Sequence, residues 1–297
     1  MVQYMSMTEP TPPHPYKCGI VVLIGRSNVG KSTLLNALVG EKVAPVSPLP
    51  QTTRQPVQGV LTTDEGQLVF VDTPGLLKGS KDKITGRINQ TIKESLEGVD
   101  LVLYVADPTR MIGEEERALL AMVRPLPIPK LLVINKSEIA DAPYGEDYRD
   151  LREDFAAIME VSALTGSGLK VLVNECLARL PEGVMLYPPE EKTNISHTRW
   201  IEEMIREKLY YYLHKEVPYT ATVRVEEINE RANKVLYIRA VVVTTDARYR
   251  KMIIGHGAQR IKEIGTAARK ELSLALNRPV YLDLTVDVDT HWMTRME

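Results

Sequence analysis

The pattern of hydrophobic and polar positions changes at about residue 180, and its first part predicts a parallel sheet. Between residues 17 and 180, short continuous apolar runs alternate with amphipathic stretches. The predicted strands are GIVVLIG (19–25), QLVFVDTPG (67–75), VDLVLYVAD (99–107), PKLLVINKSE (129–138) and MEVSALTG (159–166). Because continuous apolar strands are buried on both faces, we predict an α/β domain with a mostly parallel sheet and helices on both faces. Ligands bind such sheets at the carboxyl ends of the strands.

The second part of the chain has a different pattern and predicts a smaller domain. Residues 181–196 contain three prolines and little periodicity, so we predict a linker there. The elements expected after it are an amphipathic helix over about 199–213, alternating strands over 219–230 and 234–245, a helix over about 258–277 and a half-buried strand over 281–289. Apolar spacings of three and four residues indicate the helices, and alternation indicates the strands. We therefore predict an α+β domain with a mostly antiparallel sheet over residues 197–297.

The composition is typical of a globular protein. Hydrophobic residues make up 44% and charged residues 26% of the 297 residues. No apolar run approaches the about 18–20 residues that span a bilayer. The proline-rich start, residues 1–16, lacks the basic and apolar regions of a signal peptide, so we predict a disordered tail. Cys18 and Cys176 are the two cysteines, which argues against a disulfide framework and fits a reducing cytoplasm.

A phosphate-binding loop follows the first predicted strand. The segment GRSNVGKS (25–32) fits the pattern G-x-x-x-x-G-K-[ST] and precedes the helical stretch STLLNALVG. Backbone N–H groups of such a loop point at phosphate oxygens, its lysine reaches the β- and γ-phosphates, and its serine hydroxyl ligates Mg²⁺. The predicted contacts are Gly25, Arg26, Ser27, Asn28, Val29, Gly30, Lys31, Ser32 and Thr33. The motif indicates a nucleoside triphosphate but does not separate a kinase, an ATPase and a GTPase.

The strand end DTPG (72–75) supplies groups suited to magnesium and the γ-phosphate. Asp72 can hold Mg²⁺ through water, and the backbone N–H of Gly75 can contact the γ-phosphate. Carboxylate and hydroxyl oxygens are suitable ligands for Mg²⁺, so Asp72 and Ser32 are its predicted ligands here. The predicted metal site thus joins the phosphate loop to the end of a second strand.

The strand end NKSE (135–138) supplies groups suited to a purine base. Asn135 can hydrogen-bond one edge of the base, Lys136 can cover its face, and the Glu138 carboxylate can accept from N1–H and the 2-amino group of guanine. Adenine has neither donor and would leave that carboxylate unpaired, which costs binding energy. After the next strand, the backbone at Ser162 and Ala163 can meet guanine O6. The order and spacing of these groups favour GTP.

Five motifs in this order resemble those of the translation-factor-like GTPases and, within them, the bacterial Era GTPases. The motifs are GRSNVGKS (25–32), QTTR (51–54), DTPG (72–75), NKSE (135–138) and SAL (162–164). The resemblance runs from Lys17 to about Trp292 and implies an α/β P-loop GTPase domain over 17–180 followed by an α+β KH domain. It implies Mg²⁺-dependent GTP hydrolysis to GDP, with Thr53 as the switch threonine that contacts Mg²⁺ and the γ-phosphate.

The resemblance also implies partners and a location. It implies binding to the 3′ region of small-subunit ribosomal RNA and a role in assembling the small ribosomal subunit. It further implies a cytoplasmic protein, for which we expect a monomer. Family members also associate peripherally with the inner face of the cell membrane, a property that no residue pattern here shows independently. Switch segments at about 44–54 and 72–90 are expected to couple the nucleotide state to the KH domain.

Three positions bear on base selectivity and turnover. Glu138 stands where the family has aspartate; its longer side chain allows guanine pairing if the loop shifts, or weaker and less selective binding. Leu76 stands where Ras-like GTPases carry the glutamine that orients water, so we predict slow intrinsic turnover. Asn28 either recruits K⁺ beside the phosphates, as in related GTPases, or pins the loop by hydrogen bonds. The predicted catalytic residues are Lys31, Asn28, Thr53 and Gly75.

The segment MIIGHGAQRIK (252–262) resembles the KH signature, in which an I-G-x-x-G loop before a helix clamps about four nucleotides of single-stranded RNA. The stretch from residue 248 to residue 270 contains seven basic residues and a single acidic residue, Glu263. This local excess of positive charge indicates a polyanionic partner. The predicted RNA contacts are Lys251, Ile253, Ile254, Gly255, His256, Gly257, Ala258, Arg260 and Lys262. Ala258 replaces the second glycine of the family, and we expect a helix-compatible backbone to tolerate its methyl group.

Two other functions stay open at this point. An ATP-dependent kinase or ATPase would share the phosphate loop, although the pair Asn135 and Lys136 argues against it. Alternatively, the second domain recognises a protein partner rather than RNA. A steep salt dependence of RNA affinity would exclude that alternative, because phosphate contacts release counterions.

Overall fold

A computed structural model of the chain describes residues 16–47, 49, 56–75, 90–92, 94–231 and 233–294. Residues 1–15 of the predicted tail (1–16), the switch threonine Thr53 and the hydrophobic Leu76 lie outside the described residues. Most of the two predicted switch segments lies outside them as well. The phosphate loop, the base-recognition loops and the KH signature are all described.

A six-stranded sheet forms the centre of the first domain. Its strands are β1 (Lys17–Ile24), β2 (Val57–Thr62), β3 (Gly66–Asp72), β4 (Leu101–Ala106), β5 (Lys130–Ile134) and β6 (Ala157–Glu160), in the spatial order β2-β3-β1-β4-β5-β6. All neighbouring pairs are parallel except β2 with β3. The predicted mostly parallel sheet is confirmed. Sequence analysis missed β2, an edge strand whose short, partly exposed sequence VQGVLT has no continuous apolar run.

Helices cover both faces of this sheet, as predicted. Among the described residues they include α1 (Lys31–Val39), α2 (Glu114–Val123), α3 (Gly145–Arg149) and α4 (Leu169–Leu177). On one face α1 and α4 pack apolar side chains such as Leu34 and Leu172 into one core cluster. On the other face Leu119 of α2 and Tyr148 of α3 belong to a second cluster. Because helices cover both faces of the sheet, β3 and β4 are buried along their whole length.

The second domain packs three helices on a three-stranded sheet. Its elements are α5 (His197–Tyr212), β7 (Ala221–Glu230), β8 (Leu236–Thr244), α6 (Ala247–Ile254), α7 (Gln259–Ala275) and β9 (Val280–Val288). Strand β7 pairs antiparallel with β8, but β9 pairs parallel with β8. The prediction of a mostly antiparallel sheet is therefore wrong. The helical pair α6–α7 crosses over between β8 and β9 and returns the chain to the same end of the sheet, which a parallel pair requires.

Residues 181–196, predicted as a linker, lie along the first domain. They contain no named helix or strand, but their backbone forms isolated bridges with Lys17 and Gly59. The N–H of Val60 donates to the carbonyl of Lys192 at 2.8 Å, and the N–H of Leu186 donates to the Gln67 side chain at 2.8 Å. The segment therefore connects the domains as an extended strap held to the sheet.

Candidate nucleotide and RNA-binding sites

The phosphate loop lies between β1 and α1, at the carboxyl edge of the sheet. Helix α1 begins at Lys31, directly after Gly30, whose φ of 98° is in the left-handed region. A Cβ at Gly30 would lie 2.3 Å from Nδ2 of Asn135, so both the turn and the close approach require glycine. Asn28 also has a positive φ of 65° and its side chain is exposed. The loop thus wraps around the amino end of a helix, where the helix dipole favours phosphate.

Lys31 and the predicted Mg²⁺ ligands lie together at this helix end. The Lys31 ammonium is buried and donates to the carbonyls of Gly25 and Arg26, each at 3.0 Å. Burial lowers the pKa of Lys31, and the nearby Asp72 carboxylate opposes that shift. The Ser32 hydroxyl donates to Asp72 Oδ2 at 2.5 Å. A hydroxyl and a carboxylate this close supply two adjacent hard oxygens, which fits a Mg²⁺ ion.

A cleft opens above the loop. It is lined by Ser27, Asn28, Gly30, Lys31, Ser32, Thr33, Pro45, Val46, Ser47, Thr73 and Gly75. Gly75 packs directly on the phosphate loop, because a Cβ there would lie 2.5 Å from the N, Cα and Oγ atoms of Ser27. The cleft therefore brings together the predicted phosphate, metal and γ-phosphate groups, with residues 45–47 of the first switch segment as an additional wall.

The base-recognition loops are tied to the phosphate loop by Asn135. Its buried side chain donates to the Val29 carbonyl at 2.9 Å and accepts from the N–H of Ala163 at 3.0 Å. Lys136 has a positive φ of 65° and pairs with the buried Asp107. Ser162 is also buried, whereas the Glu138 side chain is exposed. Three loops from distant parts of the sequence thus form one surface.

Sequence analysis missed a fully buried polar network behind the phosphate loop. The Arg26 guanidinium forms an ion pair with Glu116 of α2 and donates to the hydroxyl of Tyr148 at 2.9 Å. Tyr104 and Tyr148 both donate to Glu116, and burial together with that carboxylate raises the pKa of both phenols. The Arg26 side chain is 5% exposed and absent from the cleft lining, so its contribution to nucleotide binding is limited to its backbone.

A pattern in the sequence could have indicated the buried acid of this network. Glu116 lies three and four residues before Leu119 and Leu120, on the stripe of α2 that faces the core. An acid on such a stripe must be paired with a cation, which the sequence alone does not single out. The Val29 side chain is likewise in the core, 0% exposed, which leaves its backbone for the nucleotide.

The KH signature forms the connection between α6 and α7. Gly255, Gly257 and Ala258 have φ values of 75°, 57° and 60°. Ala258 is thus in the left-handed region, so the expected helix-compatible backbone is wrong at this position. The conformation costs an alanine about 1–2 kcal/mol. The side chains of Lys251, His256 and Lys262 are exposed around the loop.

Two predicted RNA contacts have other roles in this structure. Ile253 is 0% exposed and packs in the core beneath the loop, so the prediction that it contacts bases is corrected to a supporting role. Arg260 donates to the carbonyl of Tyr212 at 3.3 Å, at the end of α5. Ile254 is partly buried against the same core, with part of its surface left open.

Comparison with known proteins supports both halves of the chain. A family model described as 50S ribosome-binding GTPase matches residues 20–136, and one described as KH domain matches residues 208–293. The chain is 38% identical over 279 residues to the GTPase Era of Halothermothrix orenii, covering 93% of this chain and 95% of that protein. It is 39% identical to the GTPase Era of Caldanaerobacter subterraneus, covering 93% and 94%. The chain belongs to the Era GTPase family.

Solved structures of Era agree in fold over both domains. Era of Aquifex aeolicus bound to GDP·AlF₄⁻ superposes with a TM-score of 0.86 at 36% identity, covering 94% of this chain and 96% of that one. An Era complex with MgGDPNP and nucleotides 1506–1542 of 16S ribosomal RNA gives the same TM-score, identity and coverage. The predicted fold class and GTPase activity are confirmed at the level of the Era family.

Proposed function

We propose that this chain is a GTP-controlled switch that binds the 3′ region of small-subunit ribosomal RNA and assists assembly of the small ribosomal subunit. One observation carries the proposal: a phosphate cleft and an exposed, basic KH loop occur in one chain that matches an RNA-bound Era over 94% of its length. The alternative of a protein-binding second domain lacks a comparable observation.

Hydrolysis in this site relies on positioning and on stabilisation of charge. Lys31 contacts the β- and γ-phosphates, the Gly75 N–H contacts the γ-phosphate, and Ser32 with Asp72 holds Mg²⁺. When bound, that ion neutralises charge on the phosphates. Thr53 is proposed to complete this set. Since Leu76 offers no group to orient water, intrinsic turnover is slow.

Exposed Asn28 beside the cleft supports a K⁺ site next to the phosphates. Hydrolysis is then faster in K⁺ than in Na⁺ at equal ionic strength, and Asn28→Ala removes the difference. An Asn28 that merely pins the loop would instead give equal rates in the two salts. Steady-state phosphate release in each salt distinguishes the two roles, with Mg²⁺ held constant.

Guanine selectivity is proposed to come from Asn135, Lys136 and Glu138. The exposed Glu138 has room to shift toward a bound base, because no described contact fixes its side chain inside the protein. We would measure displacement of a fluorescent GDP analogue by GDP, ADP and XDP in wild type and Glu138→Asp. Competition by GDP alone in both proteins supports the proposal. Comparable competition by ADP would overturn it and revive the ATPase alternative.

Contacts between the two domains connect the first switch segment and the nearby Lys42 to helices α5 and α7. The Glu207 carboxylate of α5 accepts from the Val46 N–H at 2.8 Å and from the Lys42 ammonium at 3.0 Å. Lys42 also pairs with Glu271 of α7, the helix that follows the KH loop. Since Val46 lines the phosphate cleft, nucleotide-dependent movement there is transmitted to both helices. Glu207→Ala therefore reduces the difference in RNA affinity between the GTP-analogue and GDP forms, whereas the exposed Glu216→Ala does not.

RNA binding is tested by fluorescence anisotropy with a single-stranded 16S 3′-end RNA. Lys251→Ala and Lys262→Ala each weaken binding and reduce the slope of log affinity against log salt by about 0.7 per lost phosphate contact. Lys170→Ala, an exposed lysine of the first domain, is the control. A wild-type affinity that hardly depends on salt would favour a protein partner instead.

Cytoplasmic location and a monomeric state stay predictions. Among the described residues, the helices are too short or too polar to cross a bilayer. Peripheral association with the inner membrane face rests on the family resemblance, and flotation with lipid vesicles in each nucleotide state would test it.

A further inference from the structure

The segment after β4, residues 107–111, contacts the nucleotide-binding loops at both of its ends. We refer to it as the brace. At its start, Asp107 accepts from the N–H and hydroxyl of Thr109 at 3.0 and 2.7 Å and pairs with Lys136 of the base loop. At its end, the Arg110 guanidinium donates to the Ser27 carbonyl of the phosphate loop at 2.9 Å. Asp107 ends the predicted strand VDLVLYVAD, whereas Thr109 and Arg110 belong to none of the motifs named above.

The brace is itself held rigidly. The Met111 carbonyl accepts from Arg26 at 3.2 Å, and the Tyr148 hydroxyl, whose single proton goes to Glu116, lies 3.2 Å from the Arg110 carbonyl. Tyr148 and Arg26 belong to the buried network around Glu116, whose members are at most 5% exposed. The Arg110 side chain therefore extends from a backbone that is held in place. Its hydrogen bond can thus fix the position of the Ser27 carbonyl.

Ser27 of the phosphate loop lies directly against Gly75 of the DTPG loop, in addition to the contact between Ser32 and Asp72. A Cβ on Gly75 would lie 2.5 Å from three atoms of Ser27, so the two backbones are in contact without spare room. A displacement of Ser27 toward Gly75 must therefore move Gly75. The Gly75 N–H is the group proposed above to contact the γ-phosphate, whereas the predicted contacts to the other phosphates come from the phosphate loop itself, residues 25–33.

We propose that Arg110 is a positioning residue for γ-phosphate recognition, acting through Ser27 on Gly75. A guanidinium donor makes a charge-assisted bond that is stronger than a neutral one, and Arg110 is not among the residues that line the cleft, so it holds the Ser27 carbonyl from outside the cleft. GDP lacks the γ-phosphate, so the brace selects GTP over GDP. This inference rests on the role of Gly75 in the proposed function.

The test compares dissociation constants of the full-length protein for fluorescent GDP and for a fluorescent non-hydrolysable GTP analogue. For Arg110→Ala we expect GDP affinity within about twofold of wild type, and a loss of about tenfold or more in analogue affinity and single-turnover hydrolysis. Arg110→Lys restores part of the loss, because one ammonium donor can reach the same carbonyl. Arg117→Ala removes an exposed arginine of α2 and serves as the charge-matched control.

Equal loss of GDP and analogue affinity in Arg110→Ala would overturn the inference, since it would indicate a general structural role. No loss of either affinity would overturn it as well. Gly75→Ala, measured in parallel, separates the role of Arg110 from the role of Gly75. If Gly75→Ala loses the analogue selectively while Arg110→Ala does not, the brace inference fails and the role of Gly75 stands. If neither variant loses the analogue, the proposed role of Gly75 fails too.

Discussion

Substitution of the buried Glu116 is expected to destabilise the first domain strongly. Its carboxylate is 0% exposed, forms an ion pair with the nearly buried Arg26 and accepts from the hydroxyls of Tyr104 and Tyr148. Substitution by glutamine preserves the size of the side chain but removes its charge. Arg26 cannot lose its proton in a protein, so the variant contains an uncompensated cation in a dry interior.

The size of the effect follows from this burial. Breaking a buried ion pair by neutralising one partner costs about 3–5 kcal/mol, because the remaining charge keeps its desolvation penalty. At about 2–4 °C per kcal/mol for a domain of this size, the midpoint of thermal unfolding falls by about 6–20 °C. In contrast, Glu175→Gln removes a partner of Arg179 in a solvent-accessible pair on α4, where the expected cost is below about 1 kcal/mol.

Hydrogen exchange measured by mass spectrometry at increasing urea resolves the two domains in the intact chain. Peptides from β4 and β5 report the first domain, and peptides from β8 and β9 provide the internal control. We expect Glu116→Gln to lower the opening free energy of the first set much more than of the second. A loss no larger than that of Glu175→Gln would refute the reasoning, since it would mean that water reaches the network.

Three further predictions concern acid stability, thiol reactivity and the KH loop. Burial raises the pKa of Asp107, but hydrogen bonds from Lys136 and Thr109 outweigh that effect and hold the pKa below 3.8. The resulting stabilisation is present above pH 3.8 and is lost as the pH falls through the lowered pKa. The free energies of urea unfolding of wild type and Asp107→Asn should therefore converge in acid. Burial raises the pKa of the Cys176 thiol to about 12, so iodoacetamide at pH 8 should label it only after denaturation, and rapid native labelling would contradict this. In Gly255→Ala, the residue at φ 75° gains a Cβ atom 2.8 Å from the Cβ of Arg260. This variant should bind RNA more weakly, while its GTP hydrolysis without RNA is unchanged. The control Gly98→Ala, which has open space around the new Cβ, should keep its RNA affinity.

The sites that could be predicted from sequence are those built from contiguous residues at strand ends. The phosphate loop, DTPG and NKSE each follow an apolar strand, and parallel strands bring their carboxyl ends to one edge. The structure places Ser32 beside Asp72 and Asn135 beside Val29, as that rule requires. Most residues that line the cleft could be predicted from the sequence, because few types of side chain can bind phosphate and Mg²⁺.

Side-chain direction could not be predicted in the same way. Arg26 and Ile253 both lie inside recognised motifs, yet one points to a buried glutamate and the other into a core. A motif fixes the path of the backbone, while the direction of a side chain depends on what packs behind it. The parallel pairing of β9 was missed for a related reason, since strand alternation is the same for both pairing directions.

The sequence by itself determined the two-domain organisation, the nucleotide chemistry and the KH signature, because these depend on local hydrophobic period and on short motifs. Tertiary structure alone decided which distant groups brace those motifs. Arg110 reaches Ser27 across 83 residues, and Glu207 reaches Val46 across 161 residues. Such contacts arise only when the sheet and its helices close around a common core, which places side chains without any sequence relationship within hydrogen-bond distance.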